Sequence, residues 1–190
     1  MSKIIRGLGA SNHSNYERAT DDYYSTDPIA IDLLHESGEL NNVRYWECAC
    51  GDGALSERLK YYGYDVVSTD KVYRGYGLGG VDFLKQSNER FDGDIITNPP
   101  FKDIEEFIKQ GLRLTGHRLY IFGKLQLLES QRRFENIFKD NPPYKVMVFS
   151  KRVPCYRNGD KGFKNGSTVP YAWFIWDNTW EHETIVDWLI

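Results

Sequence analysis

Apolar residues along this chain follow two alternating periodicities, which predict strands that alternate with helices. Short apolar runs of strand length occupy residues 43–49, 64–69, 81–84, 95–97, 118–123, 144–149 and 171–176. Apolar residues at helical spacing occupy residues 28–35, 54–60, 103–114, 127–138 and 183–190. This order is typical of an α/β fold, in which helices cover both faces of a mostly parallel sheet.

Local signals define where the ordered part of the chain begins. Residues 1–22 contain little apolar content, and we expect them to form a flexible arm. Asp27 followed by Pro28 is a start signal for the first helix. A strand, glycine turn, helix and strand within residues 43–69 form a βαβ unit with a right-handed crossover. We expect a single domain over residues 23–190.

No segment predicts export or membrane insertion. The sequence has no run of about 18 apolar residues, and its first 14 residues have no signal-peptide core. Cys48, Cys50 and Cys155 have the spacing of neither a disulfide framework nor a zinc site. We therefore expect a cytoplasmic protein with no membrane partner and no metal.

The net charge of -3 conceals an uneven distribution along the chain. Residues 102–170 contain 14 basic and 7 acidic side chains, whereas the remainder contains 10 basic and 20 acidic ones. A basic half is the footprint of a polyanionic partner, although charged runs are also common on solvated faces. The distribution favours a nucleic acid as the partner.

The strand at 95–97 ends in Asn98-Pro99-Pro100-Phe101, a sequence that favours a binding site. Two consecutive prolines cannot donate to a sheet ladder, so the chain must leave the sheet in a rigid, extended turn. Such a turn holds the Asn98 amide, the Pro99 carbonyl and the Phe101 ring at the carboxyl end of a strand. Ligands bind at that end of open α/β sheets. On these four residues alone, an ordinary strand exit is the alternative.

An acid and a glycine turn follow the first strand of the βαβ unit. Glu47 precedes Gly51 and Gly53, and Cys48 lies in the same turn. Glycines let the backbone approach a ligand closely, and the amides of the first helical turn suit an anion. Glu47 could pair with an ammonium group. The pattern favours an amino-acid moiety over a pyrophosphate; a plain glycine turn with a solvated glutamate is the alternative.

Two further acids follow at the ends of the next predicted strands. Asp70 lies where a carboxylate accepts hydrogen bonds from both ribose hydroxyls. Asp82 is placed to accept from an adenine amino group, with Phe83 beside the ring. An amino acid, a ribose and an adenine together compose S-adenosylmethionine, so the three acids predict that cofactor.

In this order the motifs resemble those of class I S-adenosylmethionine-dependent methyltransferases of the amino-methylating kind, similar to phage and prophage DNA adenine methyltransferases. The resemblance is carried by Glu47-x-x-x-Gly51-x-Gly53, Asp70, Asp82-Phe83, Asn98-Pro99-Pro100-Phe101 and Tyr24-Ser25-Thr26-Asp27-Pro28. It implies a Rossmann-like, seven-stranded sheet whose last strand, 171–176, is antiparallel. It also implies that Tyr24, Thr26 and Pro28 close over the cofactor.

The resemblance implies a reaction and a partner as well. The reaction is methylation of the exocyclic amino group of adenine, and the partner is DNA, with RNA as the alternative. We expect a monomer or weak dimer in the cytoplasm of a bacterial host cell. The chain departs from the family pattern because no stretch is long enough to be a separate target-recognition region.

The tetrapeptide suits this reaction because an amine conjugated to a purine is a poor nucleophile. The Asn98 oxygen and the Pro99 carbonyl can hold both amine hydrogens, which directs the lone pair at the methyl group. Phe101 would stack on the target base, flipped out of a duplex.

A basic loop at 151–168 lies where related enzymes hold the target from the opposite side. Lys151 and Arg152 would bind substrate there, and Tyr156 could form the second wall of the base pocket. A solvated hairpin is the alternative.

Other functions stay open on the sequence. The same tetrapeptide suits any planar amine, including one in RNA or a protein glutamine. A cofactor-binding module without catalysis is a third interpretation. An NAD oxidoreductase is disfavoured, because the glycine pattern is not GxGxxG.

Overall fold

The structure is a computed structural model that describes residues 23–87, 89–160 and 169–190. The predicted arm at 1–22 and positions 161–168 of the basic loop lie outside the described residues.

Nine strands and four helices make up the described part of the chain. The strands are β1 Tyr24–Thr26, β2 Tyr45–Glu47, β3 Val66–Ser68, β4 Asp94–Thr97, β5 Arg118–Lys124, β6 Lys145–Phe149, β7 Cys155–Arg157, β8 Tyr171–Asp177 and β9 Ile185–Leu189. The helices are α1 Ile29–Glu36, α2 Ala54–Tyr61, α3 Ile104–Leu114 and α4 Gln131–Arg133. No helix in these residues has the length and apolar content needed to cross a bilayer.

Seven of the strands form one sheet in the order β3-β2-β4-β5-β8-β6-β9. β8 is antiparallel to both of its neighbours, and the other neighbouring pairs are parallel. The predicted α/β class, the seven-stranded mostly parallel sheet and the antiparallel strand over 171–176 are confirmed. β1 and β7 form a separate antiparallel pair.

Two of the predicted elements are wrong, a strand at residues 81–84 and a helix at residues 183–190. Residues 81–84 do not form a strand, because the Asp82 carboxylate accepts a hydrogen bond from Leu84 N at 3.2 Å and caps a 3₁₀ turn, Phe83–Lys85. Residues 183–190 do not form a helix; β9 pairs there in parallel with β6. The apolar residues of this segment fit either periodicity, and the unpaired edge of β6 selects the strand.

The predicted helix at 127–138 is also broken. A 3₁₀ turn, Leu125–Leu128, precedes α4, and a π-helical turn, Phe134–Phe138, follows it. Ser130 has a φ of 147° and its hydroxyl accepts a hydrogen bond from Arg133 N at 3.4 Å, so the helix starts anew after it.

The core has two layers, one on each face of the sheet. Alternate residues of a strand point to opposite faces. Ile96 and Tyr120 therefore pack with α1 and α2 residues, whereas Ile95 and Leu119 pack with α3 residues. Both layers pack against β2, β4 and β5. They therefore hold the carboxyl ends of these three strands in fixed positions along one side of the sheet.

Candidate functional site at the strand ends

A cavity of about 200 Å³ opens at the carboxyl ends of β2, β3 and β4. It brings together twelve of the residues that the sequence predicts for the site: Tyr24, Thr26, Glu47, Cys48, Gly51, Asp70, Asp82, Phe83, Asn98, Pro99, Pro100 and Phe101. Five other predicted residues, Pro28, Gly53, Lys151, Arg152 and Tyr156, are not in its lining.

Glu47 lies at the end of β2 and is only 2% exposed. Its carboxyl group accepts a hydrogen bond from the hydroxyl of Ser56, in the first turn of α2. Burial raises the pKa of Glu47 to about 8, against the opposing effect of the Ser56 hydrogen bond. The carboxyl group is therefore mostly neutral at pH 7, and a cation in the cavity would favour its charged form.

Asp70 ties the glycine turn to the end of β3. Gly51 N donates to one Asp70 carboxylate oxygen at 2.8 Å, and Val72 N donates to the other at 2.8 Å. Each carboxylate oxygen can accept more than one hydrogen bond. Asp70 can therefore hold the turn and still accept from a ligand's hydroxyl groups.

Position 51 requires a glycine because of its backbone conformation and because the Tyr23 ring lies close to it. Its φ is +55°, and a Cβ added there would lie 2.5 Å from Tyr23 Cε2. Gly51→Ala is expected to lower the free energy of unfolding by about 1–3 kcal/mol, measured by urea titration. Gly38→Ala is the matched control, since Gly38 has a φ of +76° but no heavy atom within 4 Å of the place that a Cβ would take. An equal loss in the two variants would contradict a steric role for Tyr23.

Asp82 and Phe83 lie at the cavity on the 3₁₀ turn rather than at a strand end. Burial would raise the pKa of Asp82, but the hydrogen bonds from Lys71 and Leu84 N and the charges of Lys71 and Lys85 together outweigh burial and lower the pKa below its usual range. Lys71 Nζ lies 3.1 Å from Asp82 Oδ2. The Phe83 ring is stacked on Phe107 with centroids 5.1 Å apart, so it is a core residue with one edge at the cavity.

Gly53 packs closely against the ring of Tyr76. It has a φ of +86° before α2, and a Cβ there would lie 2.4 Å from Cγ of Tyr76. Because Gly53 has no side chain, the Tyr76 ring can lie directly against its backbone.

The predicted substrate loop is partly a strand. Tyr156 lies in β7 opposite Ser25, and its hydroxyl donates to Asp27 Oδ2 at 2.7 Å, next to the start of α1. Lys151 and Arg152 are exposed before β7. None of the three lines the cavity, and for Tyr156 the reason is that pairing of β7 with β1 directs its hydroxyl to Asp27.

The Asn98 amide is held from one side. Its Nδ2 donates to the Tyr24 carbonyl at 3.1 Å and to Thr26 Oγ1 at 2.7 Å. Its Oδ1 is buried and has no hydrogen-bond partner among the described residues. A buried acceptor without a donor is costly, so this oxygen suits a ligand that brings an N–H group.

The ring of Phe101 is surrounded on several sides. Its centroid is 5.7 Å from that of Tyr24 and 5.9 Å from that of Tyr171. Lys124 Nζ, at the end of β5, lies 4.5 Å from the ring centroid. Sequence reasoning missed Lys124 and Tyr171, since no local pattern links them to the tetrapeptide.

Sequence reasoning also missed how residues 23–26 attach to the glycine turn. Ser25 Oγ donates to both carboxylate oxygens of Asp52 at 2.9 Å, and Asp52 N donates to the Tyr23 hydroxyl at 3.2 Å. Burial and the nearby Asp52 charge raise the pKa of Tyr23 to about 12. The segment is thus fastened across the cavity by contacts to the glycine turn as well as to Asn98.

No protein-family model and no curated protein sequence matches this chain. Solved structures do resemble it. A Pyrococcus horikoshii protein provisionally assigned as an RNA methyltransferase has a TM-score of 0.55 at 14% identity, with 77% of this chain and 80% of that chain covered. The chain has a methyltransferase fold.

Two further solved structures share this fold. The modification subunit of a provisionally assigned type I restriction enzyme from Vibrio vulnificus has a TM-score of 0.56 at 13% identity, over 92% of this chain and 46% of that chain. A Thermoplasma acidophilum protein has a TM-score of 0.55 at 12% identity, over 80% and 85% of the two chains. At such identities the likeness concerns the fold alone.

Proposed function

We propose that this chain transfers a methyl group from S-adenosylmethionine to the exocyclic amino group of adenine in DNA. The observation that carries the proposal is the Asn98 amide. Its nitrogen is occupied by β1, its oxygen is a buried acceptor without a donor among the described residues, and the residue itself belongs to the cavity lining. An amino group conjugated to a planar ring is the kind of donor that would satisfy it.

The cofactor part of the proposal rests on the residues around the glycine turn. S-adenosylmethionine, when bound, supplies a methyl group on a positively charged sulfur. Glu47 would hold the ammonium of its amino-acid part, and Asp70 would accept from its ribose hydroxyls. The buried, mostly neutral Glu47 suits this partner, because a cation would stabilise the carboxylate that burial disfavours.

The residues of the tetrapeptide would orient the target. Asn98 Oδ1 and the Pro99 carbonyl accept the two amine hydrogens, which leaves the nitrogen lone pair free. Phe101 packs against the base. Acceleration then comes from orientation and electrostatics, without a strong base.

The DNA part of the proposal rests on charge. Some of the basic half is neutralised within the fold, because Arg118 and Lys145 both pair with Glu39, and Arg132 and Arg133 both pair with Glu105. Near the cavity, Lys124 at the Phe101 ring offers a cation for a phosphate beside the target base.

RNA is the second candidate substrate, because the Asn98 and Pro99 acceptors suit a planar amine in either nucleic acid. Mass spectrometry of nucleosides distinguishes the two. DNA and RNA from a bacterial host that expresses the chain are digested, and a host that expresses Asn98→Ala is the control. We expect N6-methyladenine in the DNA of the first host only; a methylated nucleoside confined to RNA would assign the second candidate.

A further inference from the structure

The two ends of the Asn98 amide have opposite chemistry, and only one of them fits the proposed substrate. The oxygen accepts hydrogen bonds, whereas the NH₂ group only donates. If the amide turned over, its NH₂ group would face the hydrogens of an incoming amine. Something in the fold must therefore determine which end is presented to the cavity.

β1 supplies both partners that determine this orientation. The backbone carbonyl of Tyr24 has no hydrogen and can only accept, and it lies 3.1 Å from Asn98 Nδ2. Thr26 Oγ1 lies closer, at 2.7 Å. Rotation of the amide by a half turn would place the Asn98 oxygen against the Tyr24 carbonyl and break the hydrogen bond to it.

The Thr26 hydroxyl is itself held as an acceptor for Asn98. Thr26 is 3% exposed, so water does not compete for it. Cys155 faces Thr26 across the β1–β7 pair, and the Thr26 hydroxyl lowers the pKa of its thiol against the larger effect of burial, as a donor to the sulfur does. When the hydroxyl hydrogen points to the sulfur, the oxygen lone pairs remain for the Asn98 NH₂ group.

β1 is rigid enough to carry this role. Its three residues pair with β7, and Asp27 N donates to the Pro154 carbonyl at 3.1 Å just beyond the pair. Ser25 fastens the middle of the strand to Asp52. Pairing with β7 and the contact between Ser25 and Asp52 thus fix the position of β1, and with it the position of the Thr26 hydroxyl.

We propose that Thr26 is a positioning residue that fixes the Asn98 amide with its oxygen toward the target amine. This inference rests on the proposed function and gives Thr26 a role distinct from closing over the cofactor. It acts through Asn98, so its loss should lower kcat and leave cofactor affinity nearly unchanged.

The test compares Thr26→Val, which removes the hydroxyl at nearly constant volume, with Thr26→Ser, which keeps it. Thr115→Val is the matched control. Thr115 is fully buried, and its hydroxyl bonds the Arg118 carbonyl at 2.6 Å and the Gly93 carbonyl at 3.3 Å, at the amino-terminal end of β5 and away from the cavity. Unfolding by urea, binding of S-adenosylmethionine by calorimetry, and methyl transfer to unmethylated genomic DNA are measured for each.

We expect kcat to fall about 10- to 100-fold in Thr26→Val, with cofactor Kd within about threefold, and to recover to within about threefold in Thr26→Ser. Thr115→Val should lose stability without losing kcat. A Thr26→Val variant with wild-type kcat, or a Thr26→Ser variant as impaired as Thr26→Val, would overturn the role.

A second readout does not require activity. In ¹⁵N-labelled protein, the side-chain NH₂ signals of Asn98 are identified by their loss in Asn98→Ala. They should be shifted and protected from exchange in the wild type and Thr26→Ser, and lose that protection in Thr26→Val. Unchanged protection in Thr26→Val would refute the positioning role. If the NH₂ signals show this protection pattern but the wild type transfers no methyl group to DNA, only the proposed DNA activity is refuted.

Discussion

Replacing Asn98 with alanine is expected to lower kcat for methyl transfer by about 10²- to 10³-fold, the loss typical of removing one preorganised polar group that acts on the reacting centre. The variant deletes the buried Oδ1 and the NH₂ group that β1 holds. Glu47 and Asp70 are untouched, so the affinity for S-adenosylmethionine should stay within about threefold of the wild type.

Single-turnover transfer of labelled methyl from the cofactor to DNA measures this effect, with calorimetry for cofactor binding. Asn41→Ala is the matched control: its amide donates to Asp94 Oδ2 at 3.1 Å near the amino end of β4, away from the cavity. It should lower stability and leave kcat unchanged. Wild-type transfer by Asn98→Ala would refute the role assigned to the tetrapeptide.

Replacing Glu47 with glutamine is expected to have opposite effects on cofactor binding and on stability. Loss of the carboxylate removes the partner of an ammonium group, and we expect the affinity for S-adenosylmethionine to fall by about 10- to 100-fold, as for a lost charge-assisted hydrogen bond. The neutral amide avoids burying a charge, so the free protein should become more stable at high pH.

The pH dependence follows from the sign of the pKa shift. Glu47 has a pKa of about 8 in the folded protein and an ordinary value of 4.5. The folded state therefore holds the proton more tightly than the unfolded state. The contribution of Glu47 to stability is complete below about pH 4.5 and is lost as the pH rises toward 8. Stability of Glu47→Gln relative to the wild type should rise across this window, by an amount on the order of a few kcal/mol.

The ionisation of Glu47 should also make the affinity for the cofactor depend on pH. Below pH 8, binding of an ammonium group requires Glu47 to release its proton, so affinity should rise up to about tenfold per pH unit and level off above pH 8. Calorimetry between pH 6 and 8.5 in buffers of different ionisation enthalpy measures the released proton. Asp94→Asn is the control, since burial raises the pKa of Asp94 too but at the other end of β4. A flat wild-type profile would contradict the pairing of Glu47 with the cofactor.

The parts of the site that sequence reasoning predicted are those that depend on neighbours along the chain. A buried strand followed by two prolines, and a strand followed by Glu47 and a glycine turn, are local patterns. Parallel pairing of β2 and β4 then brings their carboxyl ends together, whatever the details of packing. These residues line one cavity for that reason.

The elements that sequence reasoning missed depend on distant partners. Residues 81–84 have a strand-like composition, but the Asp82 side chain caps a turn in place of a ladder. Residues 183–190 have a pattern that fits a helix or a strand, and the free edge of β6 decides between them. Tyr156 has the aromatic ring expected of a base pocket, yet its pairing in β7 directs it to Asp27.

The sequence by itself determined the α/β class, the βαβ unit within residues 43–69, and the chemical groups that follow β2 and β4, because periodicity and turn residues act over a few neighbouring positions. Only the tertiary structure decided that β1 lies over the end of β4 and that β1 holds the NH₂ group of Asn98. The partners that orient its amide, Tyr24 and Thr26, lie 74 and 72 residues earlier in the chain. Contacts over such separations depend on how the whole sheet packs, which no local pattern encodes.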